Sequence, residues 1–143
     1  MRKAALPRPA LFLITVVVLA AGLAATPGPA PQAADQSAVS FDNWLAAKTK
    51  AEDYDKAGKY VEALQYYLEY TRQAQGLGRP DLVAWGKNNA AFMIIKRHKL
   101  DATVNLAPAK KLLEEAMAIG AASDDCKKCL ELNMEYIKLF LKD

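Results

Sequence analysis

From Ser40 onward the apolar residues recur at spacings of three and four, with no sustained alternation of two. That period is the signature of amphipathic helices rather than strands. Polar caps, glycines and prolines divide the segment into five helices. Ser40 can cap a first helix through about Lys56, and Gly58 permits a tight reversal into a second through about Gln75, with Gly76 and Gly78 marking its exit. Pro80 fits the first turn of a third helix running to about Arg97, because a missing backbone donor is harmless there. His98 to Leu106 reads as a longer connection; Asn105 can cap a fourth helix that ends before Gly120, with Pro108 near its start, and Ser123 or Asp124 can begin a fifth reaching Phe140 or Leu141. Short connections make sequential helices antiparallel neighbours, so the expected fold is all-α, an antiparallel helical-hairpin array of about five helices. Leu130, Leu132, Met134, Ile137, Leu139, Phe140 and Leu141 of the last helix are expected to complete one continuous core. A lone amphipathic helix is marginal in water, so the assembly is the stabilising unit.

The pattern ahead of Ser40 is different. Arg2, Lys3 and Arg8 precede an uncharged, strongly apolar stretch from Ala10 to Ala25, and Gly22-Leu23-Ala24 has the small-x-small form that precedes a signal-peptidase cut. Sixteen residues of helix rise roughly 24 Å, short of a hydrocarbon layer of roughly 30 Å. The expectation is a signal peptide over residues 1–24, an Ala/Pro-rich linker over 25–39 holding Pro27, Pro29 and Pro31, and a helical domain over 40–143. The expected location is exported, in the periplasm, with a membrane anchor as the outcome if the leader is retained.

Within the domain one pattern repeats. Trp44, Ala47, Ala51 and Tyr54 lie at offsets of zero, three, seven and ten, and Tyr60, Ala63, Tyr67 and Tyr70 reproduce those offsets on the next helix. Small residues let two backbones approach while aromatic rings fill the space above and below them. The stretch WLAAKTKAEDYDKAGKYVEALQYYLEYTRQAQ resembles a tetratricopeptide repeat, with Ala51, Tyr54, Gly58, Tyr60, Ala63, Tyr67 and Tyr70 at the small, aromatic and turn positions. Tyr70 replaces the usual alanine, and Trp44 sits earlier than the family's tryptophan. A looser second unit begins near Trp85: GKNNAAFMII supplies its first helix, and Ala109, Leu113 and Ala116 match Ala63, Tyr67 and Tyr70. Trp85 follows Trp44 by 41 residues whereas Ala109 follows Ala63 by 46, which puts about five extra residues between the halves, in His98 to Leu106. The fifth helix is left as a terminal cap.

Tetratricopeptide families present the inner faces of their first helices to proteins or peptides. The resemblance therefore implies Lys48, Glu52, Asp55, Asn88, Asn89 and Lys96 as candidate partner-binding residues. The alternative for each is an ordinary solvated helix face. Charge points the same way as the resemblance. The chain has 19 Lys and Arg against 16 Asp and Glu, a net +3, and Arg2, Lys3 and Arg8 account for the whole excess. The remaining chain is neutral, which argues against nucleic-acid binding and for mixed-charge protein contacts. The expected function is a noncatalytic exported adaptor or assembly factor with a protein or peptide partner, a homo-oligomer or a larger membrane-associated complex being the further forms of association.

Cys126 and Cys129 stand at the probable start of the fifth helix, on one side of it, at a helical separation of roughly 5 Å that is compatible with a disulfide. An oxidising compartment favours that structural bond. The alternative is an exchange-active pair, with Lys127 and Lys128 favouring a thiolate and Asp124 and Asp125 opposing it. No metal is expected, since two cysteines cannot fill a four-ligand zinc site and His98 is distant in sequence. His98, in KRHK, reads as an exposed helix-end residue. Without a nucleophile motif or a glycine-rich phosphate loop, neither catalysis nor a cofactor is expected. Two alternatives to the adaptor follow: a thiol-disulfide protein using Cys126 and Cys129, and a structural subunit of a membrane-associated complex.

Overall fold

The computed structural model describes residues 38–141. The leader and nearly all of the linker lie outside those residues. Five helices follow in order: α1 Phe41–Lys56, α2 Tyr60–Gly76, α3 Pro80–Leu100, α4 Ala107–Met117 and α5 Asp124–Phe140. No strand occurs among the described residues, and the chain is an all-α, tetratricopeptide-like array.

Local chemistry sets the boundaries. Ser40 is extended and its Oγ accepts from the Asn43 amide at 3.1 Å, supplying one of the orphan donors of α1. Gly58 ends that helix at φ 72°, with the Lys59 amide donating to the Tyr54 carbonyl at 2.9 Å and the Gly58 amide to Asp55 at 3.0 Å. This pair of bonds is a Schellman reversal, and it recurs at Gly78 before Pro80 opens α3. At α4, Leu106 is the boundary residue, but the Asn105 side chain still accepts from the Ala107 amide at 2.9 Å. Ser123 caps α5 by accepting from the Cys126 amide at 3.2 Å.

Central to the array is α3, which packs against α2, α4 and α5, while α1 packs on α2. The α2–α3 crossing is tight because Gly86 has no side chain: a Cβ there would meet Thr71 Oγ1 and lie 2.6 Å from Tyr70 Cδ1. The repeat positions form the core. Trp44, Ala47, Tyr70, Ala74 and Val83 make one cluster, and Ala51, Ala63, Tyr67, Ala90 and Met93 make the next. Ala109, Leu113 and Ala116 of the second unit are fully buried against α3 and α5, and their counterparts Ala63, Tyr67 and Tyr70 are buried between α1 and α3.

Three expectations are corrected. First, α3 continues to Leu100, so part of the extra length lies in an added helical turn and the connection shrinks to Asp101–Leu106. Second, His98 is buried inside that turn, where Nδ1 lies 2.9 Å from Tyr136 Oη and the imidazole packs on Phe140 of α5. Third, α5 does not bury all its apolar residues: Cys126, Leu130, Met134 and Ile137 face the core, whereas Leu132, Leu139 and Phe140 are exposed. At 100° per residue Leu132 and Leu139 fall on the far side of the helix from the core set, whereas Phe140 lies beside that set at the last residue of α5.

Candidate protein-interaction site

α1, α3 and α5 are joined along one layer. The Lys96 ammonium of α3 pairs with Asp55 of α1 at 2.6 Å, and Asn133 and Tyr136 of α5 reach Asn88 and His98 of α3. α2 bridges α1 and α3 from the other layer, and α4 bridges α3 and α5.

The six candidate residues divide between two neighbouring places. Lys48 and Glu52 pair with each other along α1 at 2.6 Å, and Asp55 and Lys96 pair between α1 and α3, so this strip is internally neutralised. Asn88 and Asn89 line a different feature, a groove of about 500 Å³ between α3 and α5. Asn88 itself is only 3% exposed and accepts from Asn133 Nδ2 at 2.9 Å, which makes it chiefly a link between the two helices. Its own Nδ2 donates to Asn89 Oδ1 at 3.3 Å. The strip and the groove meet at Phe92, whose ring lies 4.8 Å from the Lys96 ammonium.

The remaining groove residues escaped sequence reasoning. Trp85, Phe92 and Tyr136 form aromatic walls, and Leu132 brings an exposed apolar edge from α5. Lys99 extends across the opening, its ammonium 4.9 Å from the Tyr136 centroid and 5.9 Å from that of Phe92. A signal existed: residues 85, 88, 89, 92, 96 and 99 recur at helical spacing on α3, and 129, 132, 133 and 136 do so on α5. Lys99 lies in a run of basic residues that reads as a helix end, and the apolar residues of α5, Leu132 among them, read as core.

Cys126 and Cys129 are free thiols in the structure. Their two side chains occupy different surroundings. Cys126 is fully buried in the α3–α4–α5 core, whereas Cys129 is half-buried and lines the groove. Burial pushes the Cys126 thiol up, and the neighbouring Cys129 adds to that. An attacking thiol needs the reverse shift. Tyr67 and Tyr70 are likewise pushed up to about 12 by burial, so their hydroxyls stay neutral core groups. Among the described residues no group of three or more histidine, cysteine or carboxylate side chains could hold a metal ion, and no helix is long and apolar enough to cross a membrane.

The array thus presents an open groove of apolar walls, amides and one cation. The chain also has a distant sequence likeness to known proteins. Over 103 residues, 72% of its length, the chain is 29% identical to the mitochondrial import receptor subunit TOM70 of Rattus norvegicus. The Homo sapiens and Mus musculus proteins of that name match at the same identity and coverage. The chain spans only 14% of the length of these relatives. No family model matches, and no solved structure matches significantly.

Proposed function

We propose that this chain is an exported, noncatalytic adaptor or assembly factor that holds a protein partner on its α1–α3–α5 layer. The α3–α5 groove carries the reading: its aromatic walls and the exposed Leu132 stand open beside polar groups that can direct a partner. The likeness to an import receptor subunit supports recognition of protein by a segment of this kind. Export rests on the apolar leader and its small-x-small site alone. The thiol-disulfide alternative loses support from the buried, up-shifted Cys126. The membrane-complex alternative depends on whether Ala10–Ala25 is retained.

Affinity purification of the full chain from its own cells, with identification of bound proteins and of the mature N-terminus, tests both parts. The expected result is a stoichiometric protein partner and an N-terminus at or near Ala25. A retained Met1 would replace the exported form with the anchored one. Recovery of no saturable partner would contradict the adaptor reading itself.

A further inference from the structure

Although the chain beyond its leader is neutral, its charges are separated along the helix axes. α1, α3 and α5 run parallel, so their carbonyl ends share one pole with the α1–α2 turn and the Asp101–Leu106 connection. The Asp55–Lys96 pair and the contacts of His98 with Tyr136 and Phe140 hold those three ends together. Lys56 and Lys59 stand on the turn, Arg97 and Lys99 at the end of α3, and Lys138 at the end of α5. Among the described residues none of the four lysines forms an ion pair. Of the carboxylates at this pole, Asp101 accepts from Thr103 of its own connection at 2.7 Å, and Glu62 and Glu135 pair with none of these cations. The opposite pole carries Asp42, Asp81, Asp124 and Asp125 in the first turns of α1, α3 and α5.

Cations at carbonyl ends complement the helix dipoles, which accounts for the sign of the pole. It does not account for the apolar side chains set among them. Leu100, the last residue of α3, is 78% exposed, and Leu139 and Phe140, the last two of α5, are 73% and 56% exposed. A terminal helix that meets only solvent presents polar residues there. Apolar tips ringed by cations match the boundary zone of an anionic bilayer, where lipid phosphates meet the cations and leucine and phenylalanine enter the acyl edge. A second copy of the chain does not match, because two such poles repel. A nucleic acid engages the cations but leaves the leucines in water.

We propose that the pole formed by the carbonyl ends of α1, α3 and α5 docks on an anionic phospholipid surface. Leu100, Leu139 and Phe140 enter the headgroup boundary, and Arg97, Lys99 and Lys138 lie on lipid phosphates. The contact uses the ends of the helices and leaves their faces to a protein partner, so it goes beyond the adaptor reading without resting on it. Residues 25–39 extend at most roughly 50 Å, more than the roughly 32 Å rise of α3. A retained leader is therefore compatible with the contact.

The test mixes the full chain with vesicles that contain a diazirine-bearing acyl chain, made either of phosphatidylcholine with phosphatidylglycerol or of phosphatidylcholine alone, and maps the photo-adducts by mass spectrometry. Mapping separates the pole from the apolar leader, which enters bilayers on its own account. Adducts at Leu100, Leu139 or Phe140 are expected on the anionic vesicles only. Their yield should fall about tenfold when Arg97→Gln and Lys138→Gln are combined, with adducts on Ala10–Ala25 unchanged. Should that variant fail to fold, the unaltered chain gives the same reading: pole adducts must fall as salt shortens the Debye length from about 10 Å at 0.1 M to about 3 Å at 1 M. Adducts confined to the leader, or equal labelling of the pole on both vesicle types, overturn the proposal. Retention on immobilised heparin without any pole adduct assigns the cations to a soluble polyanion and overturns it as well.

Discussion

Cys126 and Cys129 lie three residues apart on one helix, yet the first is sealed in the core and the second borders the groove. Maleimide at neutral pH should therefore modify Cys129 in the folded chain and Cys126 only with unfolding; mass spectrometry of the time course checks this, and simultaneous modification would contradict the core assignment. Gly86 makes a second residue-scale claim. Alanine is the better helix former by roughly 1 kcal/mol, but the added methyl must displace Thr71 Oγ1 and the Tyr70 ring, an overpacking cost of roughly 1–3 kcal/mol. Gly86→Ala is expected to lower the urea midpoint, whereas a rise would mean that α2 and α3 separate freely. His98 shows where residue-level reading stops. Its basic neighbours in KRHK suggest solvent, and the Tyr136 hydroxyl that buries it lies 38 positions away.

At the scale of elements, local signals carried most of the information. Ser40, Gly58, Gly78, Pro80 and Ser123 each act within a few residues of themselves, which is why the five helices and their turns were legible. The end of α3 was not, since its last turn is held by α5 rather than by its own composition. The groove was half legible for a related reason: Asn88 and Asn89 follow from the first-helix pattern, while Asn133 and Tyr136 come from a helix expected to cap the array and complete its core. α5 packs chiefly on α3 and α4, and the Tyr136–His98 bond is one of its few polar ties. Tyr136→Phe leaves a buried ring nitrogen unpartnered at a cost of about 1–2 kcal/mol. Hydrogen exchange should then quicken across α5 with α1 and α2 unchanged; uniform quickening would show that the array opens only as a whole.

For the molecule as a whole, carboxylates set the response to acid. Lys87 of α3 holds Glu115 of α4 below the ordinary glutamate value of 4.5. Burial works to raise Glu69, but its bonds to Arg72 and Gln73 outweigh this and lower it too. Groups with depressed folded values stabilise the fold above the unfolded value and lose that contribution as pH falls through the folded one. Urea midpoints should fall below about pH 4.5, less steeply in Lys87→Gln. Glu115 is 40% exposed, so solvent screening keeps its share of that fall small. Binding of a protein partner on the α1–α3–α5 layer is open to site-specific photo-crosslinking. A photoreactive residue is placed at Asn89 or Leu132 in the groove, or at Lys111 on the exposed face of α4, in the full chain within its own cells. One shared protein adduct is expected from Asn89 and Leu132 and none from Lys111; an adduct from Lys111 with none from the groove would contradict binding on this layer.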